Sequence, residues 1–220
     1  MTPSDPERPL ILAYAPAARR DALAALLALD DALALLLRTT SEPALGQIRL
    51  AWWREALERL DHAPPPAEPV LGGIARTVLP AGVAGAALVP LVHGWEALIE
   101  TETLDQASLA RFAAGRGALF VAAGRAMGAE GDPLTEAGQG WALADLAHHL
   151  REPGETAAAK ALAEPRLAAA TARRWSRNGR ALGAMAHLAR RDLAVPAGEP
   201  ITHGAPARVA RLLWHRMTGR

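Results

Sequence analysis

Two adjacent acids interrupt a long apolar segment near the start of the chain. Residues 17–37 consist almost entirely of Ala and Leu, which favour helix, apart from a few charged positions that include Asp30 and Asp31. A helix that is apolar on nearly all sides is expected to be buried, and a buried carboxylate needs a partner. The pair predicts part of a site for a cation or a basic partner, or else a surface pair or a buried pair neutralised by Arg19 or Arg38.

Arginines in the next segment have the chemistry of phosphate binding. A guanidinium makes bidentate contacts with phosphate oxygens, so Arg49 and Arg54 are candidates for holding a diphosphate. The alternative is pairing with Glu55 or Glu58. Arg19 and Arg20, at the start of the first long helix, are further candidates, with a solvated position as their alternative.

Trp52 and Trp53 lie in the same segment as Arg49 and Arg54. Leu45, Ile48, Trp52 and Leu60 recur at helical spacing, which predicts that they form the apolar face of this helix. The tryptophans are expected either to line an apolar cavity or to pack one helix against another.

Two other polar groups do not predict a site. His148 and His149 are adjacent, so they point to different faces of a helix, and no third metal ligand accompanies them. The Gly115–Gly117 segment resembles a phosphate loop only superficially, because no strand precedes it. Its glycines are interpreted as positions of close helix packing.

The elements that must position these residues are helices. Pro43 suits a first helical turn, Asp105 can cap a helix, Pro133 starts another, and Pro153 with Gly154 interrupts the pattern. We expect one domain over residues 1–220. The predicted helices cover residues 17–37, 41–61, 70–100 as one or two pieces, 105–127, 132–151, 156–171, 173–193 and 209–217, with loops at 62–69 and 196–206.

Composition limits the class of protein. The chain has 220 residues, half of them apolar and 21% charged, which is typical of a globular domain rather than a disordered chain. It has no Cys, so disulfides and thiolate metal sites are excluded. Residues 1–8 do not resemble a signal peptide, and no run of about 18 apolar residues predicts a membrane span. We expect a cytoplasmic protein, with or without membrane contact.

Charge is unevenly distributed along the chain. Residues 1–150 carry 11 basic and 18 acidic groups, whereas residues 151–220 carry 13 basic and 5 acidic groups. The basic C-terminal third predicts, at most, peripheral contact with an anionic membrane; it could also meet a diphosphate or pack near the acidic helices. Nucleic acid is not expected, because no basic motif is interleaved with aromatic residues.

Four stretches together resemble the squalene/phytoene synthase family. Residues 12–26 resemble its opening helix and residues 111–128 its Gly-containing middle helix. Residues 41–57, SEPALGQIRLAWWREAL, match its RLxWWREAL signature and are the most specific, while residues 144–156 follow its AQLTNILRDVGED pattern without gaps. The resemblance covers residues 12–160 and implies an all-α, single-domain helical bundle of the isoprenoid (trans-prenyl) synthase type. The bundle would be somewhat truncated, since 64 residues follow Thr156.

The resemblance also implies a reaction. Active members couple two prenyl diphosphates head to head, with Mg²⁺ held by carboxylates that neutralise the leaving diphosphate. Their Asp-x-x-x-Asp motifs place both carboxylates on one helical face. On this chain the implied metal ligands are Asp30, Asp31, Glu152 and Glu155, with Arg151 as a further diphosphate contact.

Both acidic motifs depart from the family pattern. Ala34 and Leu35 stand one turn after the two acids of the first motif, where a second carboxylate belongs. In the second motif Glu152 replaces the first Asp and Thr156 the last, and Pro153 makes a continuous helix unlikely to form. The same erosion is known in a branch that includes relatives of the mitochondrial complex I assembly factor, and residues 41–57 are closest to that branch.

We therefore expect a catalytically degenerate member that binds an isoprenoid or lipid, or assists the assembly of a partner protein, without a cofactor. The first alternative is an active Mg²⁺-dependent prenyltransferase that uses Glu152 and Glu155 with Asp30 or Asp31. The second is a plain helical interaction domain. Converging acids across a deep apolar cavity would favour the enzyme, whereas a filled cavity and an exposed apolar patch would favour the interaction domain.

Overall fold

The computed structural model describes residues 5–40, 42–101, 103–196 and 199–220. These residues form helices joined by turns and loops, and they contain no strand, so the predicted all-α class is confirmed. The α-helices are α1 (Glu7–Leu12), α2 (Arg20–Thr39), α3 (Pro43–Arg59), α4 (Pro69–Thr77), α5 (Val89–Glu96), α6 (Gln106–Met127), α7 (Leu134–Ala147), α8 (Pro153–Ala172), α9 (Arg180–Asp192) and α10 (Pro206–Thr218). Short 3-10 helices cover Ala17–Arg19, Leu79–Ala81 and Ala86–Leu88.

Several helix ends follow the sequence signals. The Asp105 side chain accepts a hydrogen bond of 2.7 Å from the Ser108 backbone N–H, which caps α6 as predicted. Gly128 ends α6 in the left-handed region, at a φ of 69° that suits glycine. Pro43 is in the first turn of α3, whereas Ser41, where the sequence predicted the start, lies outside the described residues.

The C-terminal helices differ in their limits from the prediction. The helix expected over residues 156–171 begins at Pro153, because proline is well suited to a first helical position. The helix expected from residue 173 begins only at Arg180. The intervening segment contains Trp175, which is buried and donates a 3.1 Å hydrogen bond to the carbonyl of Ala170.

The predicted apolar face of α3 is buried only at Leu60, at the end of the helix, and is wrong for its other three residues. Leu45, Ile48 and Trp52 are 47%, 68% and 45% exposed. Instead Leu50 and Leu57 are fully buried, because they share a face with other apolar side chains that pack toward α5 and the core. The signature helix therefore has two apolar faces, of which only one is used inside the molecule.

Glycines allow α6 to lie in close contact with both of its neighbours. A Cβ atom on Gly115 would lie 2.4 Å from the Cα of Gly94 on α5. A Cβ atom on Gly138 of α7 would lie 2.3 Å from the carbonyl oxygen of Gly117. The predicted role of the glycines in helix packing is confirmed, and the close approach places α6 at the centre of the bundle.

Apolar side chains from all ten helices meet in one continuous core, from Ile11 on α1 to Leu212 on α10. Among the described residues, no single helix has the length and apolar character to cross a membrane. The segments Pro69–Ala81 and Ala86–Glu96 are long and apolar enough only when taken together, and the chain bends by 106° between them.

Candidate functional site

A buried ion pair joins α2 to α6 at the centre of the bundle. The Arg116 guanidinium donates two hydrogen bonds to Asp30, from Nε to Oδ1 at 2.9 Å and from Nη2 to Oδ2 at 2.8 Å. Both side chains are almost fully buried. Asp30 is paired inside the molecule, as predicted, but its partner is Arg116 rather than Arg19 or Arg38. Because Arg116 is far from Asp30 in the sequence, local reasoning did not identify it.

Asp145 on α7 completes this cluster. Its Oδ2 accepts a hydrogen bond of 2.5 Å from Nη1 of Arg116. We call Asp30, Arg116 and Asp145 the central triad. The three residues come from three different helices, so the triad ties α2, α6 and α7 together.

Aromatic rings complete the surroundings of the guanidinium. The central carbon of Arg116 is 4.7 Å from the ring centroid of Trp95 and 4.3 Å from that of Trp141. A third ring, that of Phe112, is 5.8 Å away. A cation over the face of an aromatic ring is attracted to its negative charge density, so this is a pocket built for a positive charge.

The charges of the triad reinforce one another. Burial alone would raise the pKa of Asp145, but the Arg116 guanidinium outweighs it and holds that pKa well below its usual range. Burial would likewise lower the pKa of Arg116, and the two carboxylates instead raise it. Arg116 and Asp145 therefore stay charged at any pH at which the protein is folded.

The triad does not fit a resident Mg²⁺. This ion takes carboxylate oxygens in near-octahedral geometry. Both oxygens of Asp30 and one of Asp145 already accept hydrogen bonds from Arg116. A second cation beside the guanidinium would be repelled by it, and displacing the guanidinium would leave it buried without its partners.

Asp31, the neighbour of Asp30, has a separate partner. Its Oδ2 lies 2.5 Å from Nη1 of Arg8, which precedes the long helix α2. Burial raises the pKa of Asp31, and the Arg8 contact opposes that rise only in part. The two adjacent acids thus pair with two different arginines, although both line the same cavity.

The acids of the second motif lie elsewhere. Glu152 is exposed and precedes α8, and its backbone carbonyl accepts from the Thr156 backbone N–H at 3.0 Å. Oε1 of Glu155 accepts a hydrogen bond of 2.8 Å from the Leu104 backbone N–H. The helix is interrupted at residues 148–152, as Pro153 predicted. Neither acid lines the cavity beside Asp30.

The predicted diphosphate contacts are dispersed. Arg54 pairs with Glu96 of α5 at 3.3 Å, and Arg49 donates to Oγ1 of Thr40 at 2.8 Å. Arg20 donates to the carbonyl of Leu12 at 3.1 Å. These three, together with Arg19, Arg151 and Trp52, do not line the cavity beside Asp30.

Little space remains next to the triad. A cavity of about 250 Å³ adjoins the triad, and apolar side chains line it together with charged and polar ones: Asp30, Asp31, Asp145, Arg38, Arg116 and His149. That volume is below the range of about 300–1,000 Å³ that is usual for small-molecule sites. The centre of the bundle is therefore filled mainly by Arg116 and its rings.

A larger pocket of about 420 Å³ lies on the other side of α7. Its floor is apolar and includes Ile11, Trp141, Met185 and Leu188. Its polar lining is acidic, since the described residues contribute five carboxylates, three histidines and one arginine to it. An anionic diphosphate would be repelled there, whereas an uncharged apolar molecule would not.

The arginine of that lining, Arg208 on α10, is itself paired. It donates to both carboxylate oxygens of Glu7, at 2.7 and 2.8 Å, and also to Asp192. These contacts hold the pKa of Glu7 below its usual value against the effect of burial. Ligand atoms of Asp5, Glu7 and His203 lie within 4.8 Å of one another, as in a metal site. In this cluster of acids, Arg208 already supplies a positive charge to Glu7.

Sequence reasoning missed Arg116, Trp95 and Trp141. Arg116 was considered only as part of the Gly115–Gly117 segment, although an arginine between two packing glycines is a signal of a buried cation. Asp145 stands where the family pattern has Gln, and a new carboxylate matched with a new arginine could have been noticed.

Comparison with protein-family models gives a match to squalene/phytoene synthase over residues 1–152. The matched span contains all three members of the triad. Comparisons with curated proteins and with solved structures gave no significant match.

Proposed function

Because this chain belongs to the squalene/phytoene synthase family, we propose that it is a non-catalytic member that assists the assembly of a partner protein. The proposal includes membership of the branch with eroded acidic motifs, to which relatives of the mitochondrial complex I assembly factor belong. The observation that carries it is the central triad, in which the Arg116 guanidinium occupies both oxygens of Asp30, an acid of the first motif that would otherwise be free to bind Mg²⁺.

The charge balance of the triad argues against the transferase reaction. Ionisation of a prenyl diphosphate requires several positive charges that can bind the leaving group. Asp30 and Asp145 together carry one more negative charge than Arg116 can neutralise, and the hydrogen-bond donors of Arg116 point to these acids. Glu155 accepts a hydrogen bond from the Leu104 backbone N–H, and Glu152 is exposed. Neither acid lines the cavity beside Asp30 and Asp31, so they do not complete a second metal site there.

The exposed face of α3 supports a protein partner. Leu45, Ile48 and Trp52 form a stripe on one side of the helix, and Leu35 of α2 is 54% exposed. Large apolar side chains grouped on a surface mark interaction sites, and tryptophan is common at their centres. The stripe is part of the sequence segment that most closely matches the assembly-factor branch.

The catalytic half of the proposal is tested with purified protein, Mg²⁺ and labelled farnesyl or geranylgeranyl diphosphate, with diphosphate release followed over time. An active family member serves as the positive control. No release is expected from the folded wild-type chain. Release that disappears in Asp30→Asn or Glu152→Gln would overturn the proposal and establish an unusual prenyltransferase.

The partner half is tested by placing a photo-crosslinking amino acid at Ile48 in the native host. The same amino acid at Arg125, exposed on α6, is the control. A discrete adduct from position 48 is expected, absent from position 125 and lost when Trp52→Gln is added. Equal adducts from both positions would show non-specific contact and contradict the assignment of this face.

A second candidate function rests on the 420 Å³ pocket, whose size and apolar floor suit an uncharged isoprenoid or lipid chain. Native mass spectrometry of protein purified without detergent would detect such a ligand. A bound mass that is lost in Met185→Trp, which fills the floor, would favour ligand binding. A protein free of ligand that still forms the Ile48 adduct would favour assembly alone.

A further inference from the structure

The last helix presents large apolar side chains to solvent. Leu213, Trp214 and Met217 of α10 are 49%, 56% and 79% exposed. The opposite side of the helix is anchored in the core through Leu212 and His215, both fully buried. The exposed group is therefore held on a fixed support rather than on a free tail.

A cationic cleft lies beside these side chains. It has a volume of about 450 Å³ and is lined by Arg190, Arg191, Arg211 and Arg220, with Trp214 at its edge. We call these four residues the arginine cleft. Among the described residues, no Asp or Glu side chain lines it.

The positive charges of the arginine cleft are not neutralised by the described part of the chain. The ion pairs found there involve none of the four arginines. Arg190 donates only to the hydroxyl of Thr171, at 2.7 Å. The Nε of Arg211 is buried and, among the described residues, has no hydrogen-bond acceptor.

The positive charges of the arginine cleft affect the pKa of the neighbouring His187. Its ring lies 3.0 Å from Nη2 of Arg211, and burial together with Arg211, His215 and Arg190 lowers its pKa to about 3. The ring is therefore neutral and adds no charge of its own. A donor without an acceptor beside several arginines suits an anion from outside the described chain.

A second basic cleft flanks the other side of α10. It has a volume of about 480 Å³, and Arg177, Arg180 and Arg216 line it beside Met217. This cleft also lacks acids. Trp214 thus lies beside the arginine cleft, and Met217 lies beside this second basic cleft.

We propose that this face of α9 and α10 docks on an anionic phospholipid bilayer. The arginine cleft takes the phosphate of a lipid headgroup, because guanidinium binds phosphate oxygens in a bidentate manner. Leu213, Trp214 and Met217 enter the boundary between headgroups and acyl chains, where tryptophan is favoured. A soluble phosphate would use the arginines but would leave the apolar side chains in water. This inference does not depend on the catalytic state of the central triad.

The test is co-sedimentation of the full chain with vesicles, one set of phosphatidylcholine alone and one of phosphatidylcholine and phosphatidylglycerol in equal parts. Binding is expected only to the anionic set, and it should weaken as salt screens the charges. Arg190→Gln with Arg191→Gln should weaken binding roughly 30-fold, since each basic residue near the surface contributes a factor of about five. The matched control is Arg19→Gln with Arg59→Gln, which removes the same charge from exposed sites elsewhere.

Tryptophan emission distinguishes insertion from simple electrostatic adhesion. Anionic vesicles should shift the emission to shorter wavelength, and that shift should disappear in Trp214→Phe. Equal weakening by both arginine pairs, or an unchanged shift in Trp214→Phe, would overturn the proposal. Loss of vesicle binding in millimolar inorganic diphosphate, with no emission shift at any lipid concentration, would also overturn it and assign the cleft to a soluble anion.

Discussion

Arg116 and Asp30 lie 86 positions apart in the sequence and are joined by two hydrogen bonds of 2.9 and 2.8 Å at the centre of the bundle. Removing the arginine alone would leave buried carboxylates without a counter-charge. We expect Arg116→Met to lower the free energy of unfolding by about 3–5 kcal/mol. Urea denaturation checks this.

The control for that substitution is Arg125→Met, on the exposed side of the same helix. It should change stability by less than about 0.5 kcal/mol. The double variant Arg116→Met, Asp30→Asn should recover part of the loss, because one unpaired charge has been removed. Equal effects at positions 116 and 125 would contradict the energetic role given to the triad.

The close contact of α5 and α6 predicts that two glycine-to-alanine substitutions differ in their effect on stability. In Gly115→Ala the new methyl group would lie 2.4 Å from the backbone of Gly94, so the helices must separate. We expect a loss of about 1–3 kcal/mol, or more, in thermal or urea unfolding. Gly154→Ala, which meets no atom within 4 Å, should be neutral or slightly stabilising. A stable Gly115→Ala protein would mean that the two helices can move apart without cost.

Two neighbouring histidines predict a loss of stability on acidification. Burial and nearby arginines lower the pKa of His215 to about 4 and that of His187 to about 3. Unfolded histidine has a pKa of about 6.5, so between these values the unfolded chain binds more protons than the folded chain. Stability should therefore fall as the pH drops from about 6.5 to 4, by on the order of 3 kcal/mol for the fully buried His215.

Urea unfolding at several pH values, compared between the wild-type chain and His187→Gln, tests this. The variant should show a shallower fall in that range. Subtracting the two curves removes the opposite contributions of Asp31 and Asp192, whose pKa values burial raises. Parallel curves would show that His187 is protonated in the folded protein.

The two apolar faces of α3 should respond differently to substitution. Leu50 is fully buried, so Leu50→Ala should cost about 2–5 kcal/mol. Ile48→Gln, on the exposed stripe, should alter stability by less than about 0.5 kcal/mol. Thermal melts of both variants provide the comparison, and a large loss at Ile48 would restore the buried face that the sequence suggested.

The helical class and many helix limits follow from local signals. Asp105 and Pro43 act within one turn, so their effect can be inferred without knowing the fold. The face of α3 could not be inferred in this way, because both of its sides carry apolar residues at helical spacing. Tertiary packing selected Leu50 and Leu57 and left Ile48 outside.

The site depends still more on distant contacts. Local reasoning placed Asp30 in a buried helix and required a counter-charge for it. It offered Arg19 and Arg38, which are close in sequence, whereas the partner comes from α6. The flanking glycines indicate that Arg116 lies at a close helix contact, but only the arrangement of three helices identifies Asp30 and Asp145 as its partners.

The triad also determines how readily this centre can change. A bound ion can be exchanged, removed by a chelator or replaced when its supply varies, but a side chain is present once in every copy and cannot dissociate. Losing either Asp30 or Asp145 would leave Arg116 with one carboxylate partner. Losing Arg116 would leave two carboxylates in the interior without a counter-charge, so a single step at this position toward a metal centre passes through a destabilised protein. Arg116 is thus the member of the triad that is hardest to replace.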